Sequence, residues 1–244
     1  FGTEGSDIYG GVELKERTPE QLKGQIRSFA EKRKLQPQEV LQMFLIERFL
    51  ERLAKSSYKN NFILKGGLLI SAMLGIDSRT TMDMDTTIKG FNLDEENITC
   101  ILKEICELDI KDNVILNLKK VEKIREKDEY GGYRASIEAK YNNELPVIMR
   151  IDITTGDKIT YKEVRYSFEL MLEDRKIQIW SYNLETIIAE KFETIIRRNI
   201  LTTRIRDFYD VYILNTLQKQ NIDNKILKDA FAATVKKRGT EHIV

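Results

Sequence analysis

Apolar residues recur along the chain with two periods, and the changes of period separate helices from strands. An apolar face with helical spacing follows Thr18-Pro19, where a capping residue precedes a proline. A second face with the same spacing runs from Gln36-Pro37 to about Ser56. The pattern therefore predicts two helices at the start of the chain.

The middle of the chain reads as strands interrupted by short helices. Phe62-Ile63-Leu64 is a short apolar strand that leads into Lys65-Gly66-Gly67, and residues 68–74 then continue as a helix. Residues 84–88 form a second strand, and residues 93–108 form an amphipathic helix. Short apolar or alternating runs predict further strands at 114–118, 133–141, 146–153, 166–172 and 176–180.

The last third returns to helical spacing, at 184–196, 206–217 and 224–237. This order predicts an α+β fold with a helical C-terminal subdomain. We expect residues 1–18 to be a flexible leader or a remnant of expression, 19–180 to form the core with its N-terminal helices, and 181–244 to form the helical subdomain.

Composition restricts the classes of function. The 244 residues include 40 basic and 39 acidic side chains, so any surface for nucleic acid must be local. Cys100 and Cys106 lie in one predicted helix and point in different directions, which indicates a reducing, cytoplasmic compartment. No apolar run approaches the roughly 20 residues that span a bilayer, so no membrane partner is expected.

The most informative feature is a pair of aspartates that follows a glycine turn. Asp83 and Asp85 are two positions apart on a predicted strand, so their carboxylates project from one side and repel unless a cation lies between them. Such hard oxygen ligands suit Mg²⁺, or Mn²⁺ in its place. Gly66-Gly67 lies between a strand and a helix, where backbone N–H groups can approach a phosphate. Metal and phosphate together indicate nucleotidyl or phosphoryl transfer.

Two further polar residues stand in apolar surroundings. Asp152 comes late in an apolar strand and is a candidate third metal ligand or general base, although a salt bridge with Arg150 or another basic residue would also explain it. Lys191 lies on an otherwise apolar helix and is a candidate triphosphate contact. The alternative for Lys191 is a buried stem with its ammonium group at the rim.

Other charged residues near these segments are candidates for binding nucleotide. Asp207 and Asp210 share a helix face, and Asp207 could orient Lys191 or Arg79, or simply stabilise a helix N-terminus. Lys65 and Arg79 could steer phosphates or pair with the aspartates.

Four other residues are not expected to take part in binding or catalysis. Asp157 is expected to be a turn residue, and Tyr209 and Tyr212 are expected in the core rather than as platforms for stacked bases. His242, the single histidine, lies near the end of the chain and is a poor catalytic candidate.

Five segments carry a family resemblance when they are taken in order: 62–67, 79–85, 150–153, 189–191 and 204–210. Together they resemble the AbiEii-type nucleotidyltransferases, toxins of bacterial abortive-infection and toxin–antitoxin systems, from about Gln21 to Leu214. The resemblance implies a polymerase-beta-like nucleotidyltransferase core with a mixed sheet, and a magnesium-dependent reaction with a nucleoside triphosphate. One departure is that Leu68 follows Gly67, where many nucleotidyltransferases carry serine after the glycine, so backbone donors would have to hold the phosphate.

The resulting hypothesis assigns each candidate a role. The expected metal ligands are Asp83, Asp85 and Asp152, and these three with Lys191 form the catalytic set. The expected nucleotide-binding residues are Lys65, Gly66, Gly67, Arg79, Lys191 and Asp207.

The acceptor is expected to be RNA, and most specifically a tRNA 3′ end, because related toxins modify tRNA; a protein acceptor is the alternative. A cognate antitoxin is a further expected partner. Nine basic residues could form the local RNA surface: Arg197, Arg198, Arg204, Arg206, Lys225, Lys228, Lys236, Lys237 and Arg238.

Two other classes compete with this hypothesis. The run Asp83-Met84-Asp85-Thr86-Thr87 has the spacing of a haloacid-dehalogenase-type phosphatase loop, but no apolar strand directly precedes it and the later strands alternate as in antiparallel sheets. A catalytically inactive module that binds nucleotide or antitoxin is the other class. Release of diphosphate from a triphosphate would distinguish an enzyme from such a module.

Overall fold

The computed structural model describes residues 17–76, 81–90, 94–124, 131–198 and 205–243. Its elements, in chain order, are α1 (Pro19–Arg33), α2 (Pro37–Lys55), β1 (Phe62–Lys65), α3 (Gly66–Leu74), β2 (Asp83–Ile88), α4 (Glu95–Glu107), β3 (Val114–Ile124), β4 (Gly132–Tyr141), β5 (Glu144–Thr155), β6 (Val164–Glu169), β7 (Lys176–Ser181), α5 (Leu184–Arg198), α6 (Ile205–Leu217), a 3₁₀ turn (Lys219–Asn221) and α7 (Asn224–Lys237).

The strands form one mixed sheet of seven strands in the order β3-β4-β5-β2-β1-β7-β6. The pairs β2/β5 and β1/β7 are parallel, and the other neighbours are antiparallel. The expected α+β class, with a mixed sheet, two leading helices and a helical C-terminal part, is confirmed. The predicted strand 166–172 is displaced, because the Leu170 N–H donates to the Arg175 carbonyl and begins a turn there.

The helix starts follow the capping chemistry of the sequence. The Thr18 hydroxyl accepts from the Gln21 N–H and the Gln21 side chain accepts from the Thr18 N–H, which satisfies two of the free donors at the start of α1. At the start of α2 the Glu39 carboxylate accepts from the Gln36 N–H, and the Asp94 carboxylate caps α4 by accepting from the Asn97 N–H. Local sequence therefore fixes where these helices begin.

Helix α2 is buried on all sides from Val40 to Leu53, including four charged residues that no amphipathic pattern reveals. The Arg52 guanidinium donates two hydrogen bonds to the Asp112 carboxylate, at 2.7 and 2.8 Å. Arg175 donates to both oxygens of Glu51, at 2.9 and 3.0 Å. Ion pairs thus compensate for charge that is buried inside the fold.

The sheet has a packed face and a face that carries the polar residues. Met84 lies beside Leu50 and Leu53 of α2, on the packed face. Because side chains alternate along a strand, Asp83 and Asp85 lie on the opposite face, and helices α6 and α7 each pack against α5 at that side. The division at residue 180/181 stays a proposal, although β7 ends at Ser181.

The two cysteines do not form a disulfide. Cys100 and Cys106 are both free thiols on α4, the first exposed and the second buried. Among the helices of the described residues, none is both long enough and apolar enough to cross a membrane.

Candidate active site

Four charged residues form one row across four adjacent strands. Register pairs Arg134 of β4 with Asp152 of β5, Asp152 with Asp85 of β2, and Asp85 with Lys65 of β1. All four line a cleft of about 570 Å³ on the polar face of the sheet, with Asp83 beside them. The row therefore places two carboxylates between two cations. This arrangement arises because the sheet pairs strands that are distant in the sequence.

The glycine turn lies directly against one of these carboxylates. Gly66 has a φ of +66°, and a Cβ atom there would lie 2.1 Å from Asp85 Oδ2. The Gly67 N–H donates to the same oxygen at 3.4 Å. A residue with a side chain at position 66 would therefore meet both a strained backbone conformation and a direct clash with Asp85.

Asp152 is held by a cation that the sequence analysis missed. Arg134 donates to both Asp152 oxygens, from Nε at 2.7 Å and from Nη2 at 2.8 Å. The hydrogen bond with Asp152 raises the pKa of Arg134, partial burial opposes this, and the charges of Asp83 and Asp85 add to the increase. The expected alternative partner, Arg150, lies opposite Asp83 in the register instead. The alternation of β4 places Arg134 on the face opposite Ala135, but nothing local links it to Asp152.

Asp157 is an anchor rather than an ordinary turn residue. It lies in the loop after β5, where its carboxylate accepts a short hydrogen bond from Lys65 and one of 2.7 Å from Lys237 of α7. Lys65 also donates to Thr154 Oγ1 at 2.7 Å. Burial alone would raise the pKa of Asp157, but the two lysine charges and their hydrogen bonds hold it well below its usual value. The structure thus gives Lys65 a carboxylate partner, which is Asp157 rather than Asp83 or Asp85.

Lys191 is paired rather than extended to the rim. Its ammonium group lies 2.7 Å from Asp207 Oδ1 and 2.8 Å from Asp210 Oδ2, and only 16% of its side chain is exposed. Both aspartates are on the inner face of α6 and are buried. The expected orientation of Lys191 by Asp207 therefore agrees with the geometry, and Asp210 joins it. Arg79, the other expected partner, lies outside the described residues.

The expected basic surface is smaller than the sequence suggested. Lys237 binds Asp157, and Arg238 donates to Glu193 and, at 2.8 Å, to Thr194. These two cations face inward because buried acids on neighbouring elements need partners. Arg204 lies outside the described residues. The exposed members that remain on α7 are Lys225, Lys228 and Lys236.

The expectation for two tyrosines is wrong. Tyr209 and Tyr212 are exposed on α6, not in the core. The inner face of this helix is occupied instead by Asp207, Asp210 and Leu214, and the two aspartates pair there with the ammonium group of Lys191.

The carboxylates of the cleft are the groups that could bind a divalent cation. Asp83 and Asp85 present carboxylate oxygens on one face of β2, which is the ligand type that Mg²⁺ prefers. In the described part of the chain, no three His, Cys, Asp or Glu side chains are already grouped closely enough for a metal ion. At this site, Arg134 engages both oxygens of Asp152. The carboxylates of Asp83 and Asp85 fit such a cation by ligand type and by their common face, whereas Asp152 would have to release Arg134 to join them.

A mixed sheet that carries paired aspartates beside a glycine turn, in a cleft lined by lysine and arginine, is the arrangement of a nucleotidyltransferase. Sequence comparison agrees with that class: residues 48–244 match the family described as "Nucleotidyl transferase AbiEii toxin, Type IV TA system". The chain belongs to this family, and it is an enzyme of the nucleotidyltransferase class. The predicted resemblance is thereby confirmed. No similar sequence was found among curated proteins.

Three solved structures follow a similar course of the chain at low sequence identity. An antigenic nucleotidyltransferase-like protein from Paracoccidioides brasiliensis is 16% identical, with 91% of this chain and 90% of that chain covered and a TM-score of 0.42. The antibiotic-resistance factor ANT(2'')-Ia in solution is 14% identical, with coverage of 84% and 96% and a TM-score of 0.49. The crystal structure of ANT(2")-Ia with adenylyl-2"-tobramycin is 16% identical. It covers 81% of this chain and 98% of its own chain, with a TM-score of 0.43. These likenesses are too distant to transfer the role of any residue.

Proposed function

We propose that this enzyme transfers a nucleotidyl group from a nucleoside triphosphate to the 3′ end of an RNA, most specifically a tRNA, in a magnesium-dependent reaction. The observation that carries the proposal is the row of Arg134, Asp152, Asp85 and Lys65 in one cleft with Asp83 and the glycine turn. As the toxin of a bacterial toxin–antitoxin pair, it would act in the cytoplasm and have a cognate antitoxin.

The carboxylates are assigned to the metal site. Asp83 and Asp85, with Asp152, would hold Mg²⁺ or Mn²⁺, which when bound neutralises charge on the attacking and departing oxygens. Gly67 supports this role, because its N–H fixes the orientation of Asp85 through Oδ2. Arg134 would neutralise Asp152 whenever the cation is absent, so that three carboxylates can share the cleft.

Asp152 is also the candidate base for the acceptor hydroxyl. Both of its oxygens accept hydrogen bonds from Arg134, so Arg134 must release at least one oxygen before Asp152 can take a proton. The side chain of Arg134 is 41% exposed, which leaves the guanidinium room to move toward solvent or a phosphate. Arg134 thus belongs among the functional candidates.

The cations around the cleft are assigned to the triphosphate. Lys65, Lys191 and Arg206 line the cleft from three different elements and would neutralise phosphate charge as the diphosphate departs. The backbone at Gly66-Gly67 would approach the phosphates, Asp207 would hold Lys191 in place, and Arg79 is proposed as a further phosphate contact.

Release of diphosphate tests the reaction. Each of the four nucleoside triphosphates is incubated with the protein, with RNA, and with Mg²⁺, Mn²⁺ or a chelator. Asp83→Asn and Asp85→Asn should each lose nearly all turnover yet stay folded, because removing one of two like charges does not destabilise the metal-free protein. Asp109→Asn, at an exposed loop, is the matched control and should keep wild-type turnover.

Three results would each overturn a part of this assignment. Wild-type turnover by either variant at saturating Mg²⁺ would show that the pair is not the metal site. Triphosphate binding by the wild type without any diphosphate release, for all four nucleotides and with both total RNA and total protein present, would instead favour an inactive binding module. Labelling of protein, with tRNA untouched, would replace the RNA acceptor by a protein acceptor.

A further inference from the structure

The outer face of α6 carries an exposed apolar stripe. Ile205, Phe208, Tyr209 and Tyr212 are 78%, 48%, 41% and 67% exposed, respectively. Their spacing of three, four and seven residues places them on one side of the helix. Large apolar side chains grouped on one exposed face mark a contact surface rather than a solvated one.

The stripe is continuous with the active-site cleft. Ile205 lines that cleft together with Asp83 and Asp85, and so does Arg206 beside it. From Ile205 to Tyr212 the helix rises by about 10 Å. A molecule that lies along the stripe would therefore have one end at the reacting groups.

The charge of this surface selects an anionic partner. The two acids of α6, Asp207 and Asp210, are both buried on the inner face against Lys191. The outer face consequently has no carboxylate of its own helix, while Arg206 flanks it at the cleft and Arg198 is exposed at the end of α5. Aromatic rings with a nearby cation and no acid on their own helix face suit the bases and phosphates of an unpaired nucleic acid strand.

We propose that the stripe Ile205, Phe208, Tyr209 and Tyr212 is a stacking platform for the unpaired nucleotides next to the acceptor end of an RNA. This proposal rests on the proposed function, because it supplies the acceptor for that reaction. At a spacing of about 3.4 Å per base, the stripe accommodates roughly three stacked bases. The terminal hydroxyl would then enter the cleft past Arg206.

Binding of a fluorescent oligoribonucleotide of about 12 nucleotides tests the platform. The wild type should prefer the single strand over a blunt duplex of the same sequence. The double variant Phe208→Leu/Tyr212→Leu keeps apolar bulk but removes both aromatic rings, and should weaken binding by about 10- to 100-fold. Phe208→Tyr/Tyr212→Phe keeps the rings and should bind as the wild type does.

Matched measurements separate stacking from general damage. Tyr161 is an exposed aromatic residue that does not line the cleft, so Tyr161→Leu should leave oligonucleotide binding unchanged. Triphosphate binding and the thermal midpoint of Phe208→Leu/Tyr212→Leu should equal those of the wild type.

The outcomes distinguish this proposal from the proposed function. If the leucine variant binds the single strand as tightly as the wild type, or if duplex and single strand bind equally, the platform is refuted even when diphosphate release is normal. If no triphosphate yields diphosphate but single-strand binding still needs the two rings, the platform stands and the nucleotidyl-transfer assignment to RNA fails.

Discussion

At the scale of single residues, close approach determines what each position tolerates. Gly66 touches the carboxylate of Asp85 so closely that the glycine and the aspartate act as one unit. Lys191 and its two buried aspartates form another such unit. Changes at one member of either unit should therefore be felt at the others.

Gly66→Ala should reduce both stability and turnover. The left-handed backbone costs a residue with a Cβ about 1–2 kcal/mol, and Asp85 must also move away. Gly24→Ala is the control: Gly24 lies on the exposed face of α1 with no atom within 4 Å of an added Cβ, so that variant should gain about 0.5–1 kcal/mol. Urea unfolding and diphosphate release measure the two effects. Normal turnover by Gly66→Ala would show that the position of Asp85 is not critical.

Lys191→Ala should destabilise the fold as well as weaken triphosphate binding. It leaves the buried Asp207 and Asp210 without their lysine, which costs about 3–5 kcal/mol for a buried charge pair. The triple variant Lys191→Met/Asp207→Asn/Asp210→Asn removes those charges and should recover most of the stability without recovering triphosphate binding.

The control for this experiment is the double variant Asp207→Asn/Asp210→Asn, in which Lys191 is kept. It separates the contribution of the lysine to binding from that of the aspartates. Triphosphate affinity of the triple variant equal to that of the wild type, measured by calorimetry, would reduce Lys191 to a structural role.

At the scale of elements, ion pairs attach the C-terminal helix to strands β1 and β5 of the sheet. Lys237, in the last turn of α7, reaches Asp157 after β5, and Asp157 also binds Lys65 at the end of β1. Arg238 fixes the same helix end to Glu193 of α5. The position of α7 therefore depends in part on the ionised state of Asp157, whose side chain is 12% exposed.

Asp157→Asn should lower the free energy of unfolding by about 3 kcal/mol or more at neutral pH, because Lys65 and Lys237 lose their partner. Since the pKa of Asp157 is depressed in the folded state, its stabilisation is complete above its ordinary value of 3.8 and is lost as the pH falls below it. The variant should therefore lose less stability than the wild type between neutral pH and strong acid. Glu122→Gln, which breaks an exposed pair with Lys120, is the control and should change stability by about 0.5 kcal/mol at most. Parallel acid denaturation curves of wild type and Asp157→Asn would contradict the assignment.

At the scale of the whole molecule, helix α2 brings buried charge into the centre of the fold. Burial raises the pKa of Glu47 to about 8, and the charge of Arg48 and the hydrogen bond from the Met171 N–H only partly oppose this. Burial also opposes ionisation of Glu51, yet hydrogen bonds from Arg175 and the charge of Arg48 lower its pKa to about 2. A rise in pH therefore changes the stabilising contribution of Glu47 and that of Glu51 in opposite directions.

Glu47→Gln should become more favourable relative to the wild type as the pH rises. A folded pKa above the unfolded value of 4.5 means that the wild type loses stability between about pH 4.5 and 8, by an amount on the order of a few kcal/mol. Glutamine keeps the oxygen that accepts from Met171 N–H and does not ionise. Denaturant unfolding at pH 5, 7 and 9 measures the difference. Glu51→Gln is the control, with a loss that stays constant over this range. A constant difference for Glu47→Gln would refute the raised pKa.

The sequence by itself determined most of the elements and the common face of the two aspartates. Capping at Thr18 and Asp94, apolar periodicity and the strand before Gly66 are local signals, so they gave the mixed fold with its leading and trailing helices. Asp83 and Asp85 were likewise readable, because a spacing of two residues on a strand fixes their common face without knowledge of the rest.

Tertiary structure alone decided which distant side chains meet. Strand register places Arg134 against Asp152 and Lys65 against Asp85, and the packing of α7 brings Lys237 to Asp157. The ion pairs of Lys191 hold the acids of α6 on the inner face, so Tyr209 and Tyr212 lie on the outer face, against the expectation from sequence. The physical reason is that desolvated charges must be paired, and the partners they take depend on which segments the fold brings together rather than on their distance along the chain.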